Sequence, residues 1–150
     1  MTYQPPNLGW REWIAMPELN LLRLKVKIDT GARTSALHAF FVDPYKKGNQ
    51  QWVRFGVHPH QRDNSRAIEC DALVKDRRTV TDSGGHKQRR YVIETQMVIG
   101  KTAFLAEMTL TNRDTMKFRM LLGRTAMDGR FLVDPAVSYL QGKPAITKHE

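Results

Sequence analysis

The sequence has little cysteine and no long apolar run. Cys70 is the one cysteine among 150 residues, which excludes an internal disulfide framework. Residues 1–8 are polar and carry two prolines, and neither a signal-peptide core nor a membrane-spanning stretch is visible. We therefore expect a cytoplasmic protein. Motifs of the P-loop, dinucleotide-binding and zinc-finger types are also absent.

Basic residues outnumber acidic ones, 24 to 15, and give a formal net charge of +9. They are spread along the chain without a basic tail, so the surface is expected to attract anions. Nucleic acid and an acidic polypeptide both suit this charge. The aromatic residues lie mostly within alternating apolar runs, where a place in the core is favoured over base stacking. Nucleic acid is thus the less favoured partner, although steeply salt-dependent binding to single strands would support it.

Short runs in which apolar and polar side chains alternate dominate the chain. Strands are predicted over residues 9–16, 22–28, 51–57, 88–99, 102–110, 116–122 and 131–133. Residues 34–42 suit a helix or a strand by composition, and the β-branched and aromatic residues toward Val42 favour a strand. Residues 67–81 are predicted to be extended, residues 125–128 to form a short helix, and the segment from Gln141 to be loose. Because almost no long segment has the 3.6-residue helical period, the fold class is all-β, in a single domain over residues 1–150.

The alternating run at 22–28 ends at Asp29, Thr30, Gly31 and Ala32. Gly31 permits backbone angles and close approaches that other residues resist, so the chain can turn directly after the aspartate. This arrangement predicts a carboxylate that is anchored by a sheet and exposed at its end, which suits a reacting acid. Taken alone, Asp-Thr-Gly is equally the composition of an ordinary turn.

A second motif lies far downstream, where the apolar residues 120–122 precede Gly123, Arg124 and the short predicted helix. A strand-end Asp-Thr-Gly-Ala followed by this motif resembles the retropepsin-like aspartic protease superfamily. A narrower resemblance covers nearly the whole chain and rests on residues 9–13, 27–39, 52–55, 116–124 and 131–135. These stretches are similar to the bacterial family known as ATP-dependent zinc proteases, also described as the RimK-associated retropepsin-like domain.

The resemblance implies a small closed β-barrel, with one short helix near the C-terminus, that acts as a homodimeric aspartic peptidase. Peptide hydrolysis by carboxylates requires one ionised group to deprotonate water and one protonated group to polarise the carbonyl. Two carboxyl groups about 3 Å apart share one proton and split their titration. Because the chain has a single Asp-Thr-Gly, the pair must comprise Asp29 from each of two chains.

The resemblance also assigns roles to the residues around the aspartate. Thr30 would hydrogen-bond across the twofold axis and hold the two loops rigid. Gly31 would let the substrate backbone approach, and Ala32 would leave room beside it. Gly123 would pack beneath the loop, and Arg124 would tie the loop to its surroundings through charge-assisted hydrogen bonds.

A hairpin over residues 67–93 falls where the flap of these proteases lies. Its tip, at Ser83, Gly84 and Gly85, is predicted to contact substrate, as is Ala32. Adjacent glycines suit a lid that hinges and excludes water. A mobile surface hairpin without this role is the alternative.

Arg33 departs from the pattern of the viral members, in which the residue four beyond the catalytic aspartate is acidic and pairs with the arginine of the Gly-Arg motif. Arg124 therefore needs another partner, for which Asp128 and Asp134 are candidates. Arg33 is freed to face the cleft, and the hairpin adds arginines at positions 77, 78, 89 and 90. We expect a preference for acidic or glutamate-rich peptides, and the association with glutamate ligases points the same way. A solvated surface charge is the alternative for Arg33.

Zinc is a less favoured cofactor, and we expect none. The histidines lie at positions 38, 58, 60, 86 and 149, without the His-Glu-x-x-His spacing of a zinc peptidase. Cys70 is favoured as a small buried apolar residue over a nucleophile, and no nucleotide motif supports ATP use.

The alternatives to the aspartic peptidase are a non-catalytic peptide-binding or dimerisation module of the same fold and a zinc-dependent peptidase. A glutamate ligase is the functional partner that the resemblance suggests.

Overall fold

The structure, a computed structural model, describes residues 4–61, 63–82, 84–112 and 117–144. The strands are β1 (Asn7–Leu8), β2 (Arg11–Met16), β3 (Leu21–Ile28), β4 (Ser35–His38), β5 (Phe41–Lys47), β6 (Gln50–Val57), β7 (Ile68–Leu73), β8 (Asp76–Thr81), β9 (Lys87–Ile99), β10 (Thr102–Thr111), β11 (Met120–Leu122) and β12 (Leu132–Val133). A 3-10 helix (Pro17–Leu19) precedes β3, and the helix α1 (Arg124–Met127) follows β11. None of the helical segments in these ranges has the length and apolar character that a membrane crossing requires.

Six of the strands form a closed barrel. Their order is β10, β4, β11, β3, β2 and β9, and the pairing of β9 with β10 closes the ring. Alternation along each strand turns one set of side chains inward, as in β3, where Leu24, Val26 and Ile28 are buried. The closed all-β barrel and the short helix near the C-terminus confirm the predicted architecture.

A smaller antiparallel sheet is made of β5, β6 and β7. Its central strand contributes Val53, Phe55 and Val57 to the same hydrophobic cluster as the barrel residues. All three side chains are fully buried. The two sheets therefore share one core.

The chain changes from one sheet to the other after β4, and this change divides a predicted strand. Ala39 N–H donates to Thr111 O of the barrel, whereas Phe40 N–H donates to Gly56 O of the smaller sheet, both at 2.9 Å. The stretch predicted as one strand at 34–42 is therefore β4 followed by the start of β5. Every residue of β4 is buried, whereas no residue of β5 is fully buried, so the break also separates two patterns of burial.

A second change of sheet occurs between Val74, whose N–H donates to Gln51 O, and Lys75, whose N–H donates to Val92 O. The stretch predicted to be continuously extended is consequently β7, paired with β6, and then β8, paired with β9. The hairpin of β8 and β9 thus begins at residue 76 rather than 67.

The last predicted strand is shorter in the structure. Only Met120–Leu122 forms β11, whereas residues 117–119 are bends and Met116 lies outside the described residues. Phe118 is 7% exposed and packs edge-to-face on Trp10, with the ring centroids 5.9 Å apart. Its apolar character therefore reflects side-chain packing, not strand pairing.

Glu12 fastens the C-terminal segment to β2. Its side chain is fully buried, and Oε2 accepts hydrogen bonds from the N–H groups of Gly9 at 2.7 Å and Leu140 at 3.0 Å. Oε1 accepts the N–H of Gln141 at 3.1 Å. Three backbone donors thus satisfy a carboxylate that would be costly to bury unpaired. The prediction that the chain is loose from Gln141 is wrong at that residue.

Ion pairs hold the β8–β9 hairpin against β10. Arg78 donates from Nη1 and Nη2 to the two carboxylate oxygens of Glu107, at 2.9 and 3.0 Å, and its Nε lies 2.7 Å from Asp76 Oδ2. Lys75 Nζ lies 2.6 Å from Glu94 Oε2 and 3.3 Å from Glu107 Oε2. Hydrogen bonds from Arg78, and then from Lys75, hold the pKa of Glu107 below its ordinary value.

We expect Glu107→Gln to lower the free energy of unfolding by about 1 kcal/mol at neutral pH, since the pair is bidentate but partly screened by solvent. A carboxyl group whose pKa falls on folding stabilises the protein above its ordinary pKa of 4.5. This stabilisation is lost as the pH falls through the lower folded value, so the difference from wild type should vanish near about pH 2. Urea unfolding at both pH values measures the effect.

The matched control for this substitution is Glu69→Gln, which removes a carboxylate that is 61% exposed and pairs with Arg54. Its expected effect is below about 0.5 kcal/mol at either pH, because exposed ion pairs contribute little. If the Glu107→Gln deficit were the same at neutral and acidic pH, the ion pair would not be its cause.

Candidate active site

The position at which β3 ends is set by β11, which is inserted between β3 and β4. β11 runs parallel to β3 and antiparallel to β4, with Leu122 opposite Ile28 and Met120 opposite Leu37. Directly after this register, Asp29 N–H donates to Leu122 O at 2.9 Å. The backbone of the candidate catalytic residue is therefore fixed by a strand from the far end of the sequence.

Asp29 is half-buried in the turn after β3. Oδ1 accepts the Gly31 N–H at 3.0 Å, and Ala32 N–H donates to the Asp29 carbonyl oxygen at 3.2 Å. No hydrogen bond from the described part of the chain reaches Oδ2. Thr30 and Gly31 are exposed at the tip of the turn. The turn thus presents a carboxylate with one fixed oxygen and one open oxygen.

Gly123 lies against the strand that follows the Asp29 turn. Its N–H donates to the hydroxyl oxygen of the fully buried Ser35 at 3.0 Å. A Cβ at position 123 would come within 2.6 Å of the Thr34 carbonyl carbon and 2.9 Å of Ser35 N. Sequence reasoning missed Ser35, because a buried serine in an alternating run looks like any polar strand residue.

Arg124 ties the Asp29 turn to α1. Its Nη1 donates to Thr30 O at 3.1 Å, and its backbone N–H donates to Ala32 O at 2.8 Å. One residue later, Thr125 N–H donates to Arg33 O at 2.9 Å. These bonds hold both sides of the turn and use a charged donor, as the resemblance implies.

The expected carboxylate partner of Arg124 is not found. Neither Asp128 nor Asp134 forms an ion pair with it in the described residues. Asp134 Oδ1 accepts the Ala136 N–H at 3.0 Å instead, and Asp128 N–H donates to Arg124 O at the end of α1. The Arg124 guanidinium donates to the Thr30 carbonyl oxygen in place of a carboxylate, so the turn is held without an acidic partner.

The tip of the β8–β9 hairpin is a compact turn. Asp82 Oδ1 accepts the N–H groups of Gly84 and His86, both at 2.9 Å. Gly85 has φ +81°, a conformation that favours glycine. Ser83, the third predicted substrate contact, lies outside the described residues.

The four arginines of the hairpin differ in availability. Arg78 is engaged by the carboxylates described above, and Arg90 is only 7% exposed and donates to two neighbouring side chains. Arg77 and Arg89 are exposed, as is Arg33 in the turn after β3. Of the arginines expected to line the cleft, only these three are therefore both exposed and without a carboxylate partner among the described residues.

The described residues contain no group of three or more histidine, cysteine and carboxylate side chains that could hold a metal ion. His38 is buried in β4, and His58 stacks on Phe40 with ring centroids 4.2 Å apart. His149 lies outside the described ranges. Burial raises the pKa of the Cys70 thiol to about 12, so it stays protonated at neutral pH. In the part of the chain that the structure describes, the side chains do not fit a zinc centre.

Proteins named as probable alpha-L-glutamate ligases match most of this chain. A probable alpha-L-glutamate ligase of Parasynechococcus marenigrum is 45% identical over 135 residues, which are 90% of this chain and 29% of the relative. A protein of the same name from Shewanella pealeana is 43% identical over 136 residues, covering 91% of this chain and 30% of the relative. The chain thus spans less than a third of the length of these relatives.

A crystal structure of a Legionella pneumophila protein of unknown function shares the fold. The TM-score is 0.76 at 24% sequence identity, with 92% of this chain and 99% of that chain covered. The family model RimB-like, described as the retropepsin-like aspartic endopeptidase RimB, matches residues 7–144. This range includes the Asp29 turn and the motif at Gly123 and Arg124. The chain therefore belongs to the RimB-like family of retropepsin-like aspartic endopeptidases.

Proposed function

We propose that the protein is an aspartic peptidase that acts as a homodimer, with Asp29 of each chain forming the catalytic pair. The observation that carries this proposal is the fixed carboxylate. Asp29 N–H is bonded to Leu122 O, its Oδ1 to Gly31 N–H, and its Oδ2 is open within the described residues. Catalytic groups must be held close to their productive geometry, and this turn supplies that rigidity. Family membership supports the same chemistry.

The paired carboxyl groups would divide the chemistry of peptide hydrolysis. The ionised Asp29 takes a proton from water as the water oxygen bonds to the carbonyl carbon, and the protonated Asp29 gives its proton to the carbonyl oxygen. The tetrahedral intermediate then loses the amine. The first Asp29 protonates the leaving nitrogen, and the second recovers a proton from the hydroxyl group that becomes the new carboxyl oxygen. The pair ends with one shared proton, as it began.

Dimerisation is the first expectation to test, because one chain supplies one Asp-Thr-Gly. Sedimentation equilibrium over a wide concentration range should show a monomer–dimer equilibrium. Peptidase activity per chain should rise over the same concentrations, since only the dimer holds two Asp29 carboxyl groups. A protein that stays monomeric throughout, or a monomer with full activity, would contradict the paired mechanism.

Acidic or glutamate-rich peptides are the proposed substrates. Arg33 follows the Asp29 turn directly and is exposed, without an ion pair to any described residue. Arg77 and Arg89 are exposed on the hairpin. The relatives named glutamate ligases support a substrate that carries glutamate. Positive side chains near a cleft favour acidic ligands and disfavour basic ones.

Arg33→Glu is expected to lower kcat/KM for an oligoglutamate-containing peptide by about tenfold, mainly through a higher KM, because it places like charges together. A neutral peptide of the same length should be cleaved within about twofold of the wild-type rate. Lys101→Glu, at the exposed β9–β10 turn, is the control with the same charge change. Equal cleavage of both peptides by wild type and Arg33→Glu would reject the preference for acidic substrates.

A non-catalytic binding module is the second candidate. The names of the relatives describe ligases and not peptidases, which favours a role in presenting or holding a substrate for another enzyme. The same fold can carry either role, because function depends on the site. Hydrolysis by the wild-type protein distinguishes the two candidates.

A further inference from the structure

The cations of this protein are paired in some regions and unpaired in others. On β6 and β7 and around the β8–β9 hairpin, Arg54, Lys75 and Arg78 meet carboxylates at 2.6–3.3 Å, although Arg77 and Arg89 of the hairpin meet none among the described residues. By contrast, Arg11, Arg23, Lys25 and Lys27 on β2 and β3 form no ion pair with any residue of the described ranges. Together with Lys143, these residues are called the basic face.

The cations of the basic face are regularly spaced, and no carboxylate of the described residues forms an ion pair with them. Arg23, Lys25 and Lys27 alternate with buried residues, so they lie about 6.6 Å apart along one side of β3. Arg11 is directly opposite Lys27 in the β2–β3 register. Like charges in this position destabilise a sheet. The nearby acid on β2, Glu12, is buried and its oxygens are occupied by backbone N–H groups. The uncompensated charge indicates an anionic partner.

Trp13 lies within the basic face. It is half-buried and directly opposite Lys25 in the register. Lys25 Nζ lies 5.4 Å and Lys143 Nζ 5.2 Å from the centroid of the Trp13 ring. The Tyr139 ring is 5.7 Å away and tilted by 31°. An aromatic platform is thus placed among cations that form no ion pair with the described residues.

Arg11 lies against two rings of its own. Its guanidinium carbon is 4.5 Å from the centroid of Trp10 and 5.0 Å from that of Tyr139. These rings and Trp13 are half-buried, so the sequence-based placement of aromatic residues in the core does not hold for them. The combination of surface rings and cations is the one found where single strands are bound.

A cleft extends the positive surface at the start of β3. It has a volume of about 450 Å³ and is lined by Arg23, His60 and Arg66, with Leu22 and Ile68 among its apolar walls. No carboxylate occurs among its described lining residues. A phosphate chain that follows β3 would therefore remain beside positive charge as it enters the cleft.

We propose that the basic face binds single-stranded nucleic acid, with phosphates on the cations and bases against Trp13 and Tyr139. An acidic peptide would also satisfy the cations, but carboxylates gain nothing from aromatic rings, whose faces carry negative charge. Unpaired bases stack on such rings regardless of sequence. This binding is independent of Asp29, so the Asp29→Asn protein should bind nucleic acid as the wild type does.

The test is fluorescence anisotropy of a labelled oligouridine with the full chain, at salt concentrations from about 50 to 200 mM. Each phosphate contact on a single strand contributes about −0.7 to the slope of log K against log salt, so five cations predict a slope of about −3.5. Lys25→Gln combined with Lys27→Gln should make the slope less negative by about 1.4. The matched double variant is Lys46→Gln with Lys87→Gln, both exposed and carried by β5 and β9 instead of β2 and β3, and it should leave the slope unchanged.

Trp13→Leu separates stacking from charge. It should weaken oligouridine binding by about tenfold without changing the salt slope, because stacking releases no counterions. Thermal unfolding of each variant checks the fold, and the lysine variants carry the test if Trp13→Leu is unfolded. No binding at low salt, equal losses in the two lysine double variants, or equally tight displacement by oligoglutamate of the same charge would overturn the proposal.

Discussion

Asp29→Asn is expected to lower kcat/KM for peptide hydrolysis by a factor on the order of 10³ or more, because an amide can neither take a proton from water nor donate one. The substitution preserves side-chain size, and Oδ1 can still accept the Gly31 N–H, so the melting temperature and the dimer should persist. Peptide cleavage followed by mass spectrometry measures the loss. Asp43→Asn, at an exposed position of β5, is the matched control and should retain activity.

Mixed dimers make this experiment diagnostic of pairing. If both Asp29 carboxyl groups are needed, an equal mixture of wild type and Asp29→Asn retains about one quarter of the activity of the same total amount of wild type, since random exchange makes a quarter of the dimers intact. Independent sites would retain about half. If Asp29→Asn loses hydrolysis but still binds peptides, the protein is an enzyme. If the wild type itself binds peptides without cleaving them, the protein is a binding module.

Strand positions could be predicted from alternation, but strand partners could not. Alternation and β-forming composition indicate that a segment is extended, and this holds whichever sheet the segment joins. Ala39 and Phe40 bond to different sheets, and so do Val74 and Lys75, although no turn residue marks either change. The boundaries of the two sheets therefore depend on long-range pairing that the local pattern does not encode.

The elements of the candidate site could be predicted from two short motifs and a resemblance. The structure brings the Asp29 turn and Arg124 together through Thr30 O, over a separation of 94 residues. The acidic partner proposed for Arg124 was wrong, because a carbonyl takes its place. Ser35 was missed for a related reason, since a buried polar group is recognised by its distant partner and not by its own sequence context.

The basic face on β2 and β3 could not be predicted from the sequence either. Trp13 and Lys25 occupy ordinary alternating positions in the sequence, and nothing local says which side of the barrel they face. Only the register places the two opposite each other, with Lys143 added from the C-terminal segment. Net charge predicted an anionic partner, but the rings beside these cations had to be known before this face could be distinguished from other exposed cations.

Gly123→Ala is expected to lower the free energy of unfolding by about 3 kcal/mol, measured by urea unfolding. The new Cβ would lie 2.6 Å from the Thr34 carbonyl carbon and 2.9 Å from Ser35 N, which are backbone atoms within the barrel and cannot rotate away. Gly84→Ala is the matched control. Its Cβ would meet the side chains of His86 and Asp82 at 3.2 Å and beyond, so the cost should stay below about 1 kcal/mol.

The same substitution should impair the active site in molecules that still fold. Relief of the contact at Gly123 requires β11 and α1 to move away from β4, and Leu122 O and Arg124 Nη1, which hold Asp29 N–H and Thr30 O, move with them. We therefore expect kcat to fall by about a hundredfold at temperatures where Gly123→Ala is fully folded, because displacements near 1 Å cost that much. A folded variant with wild-type kcat would show that the Asp29 turn does not depend on Gly123 for its position.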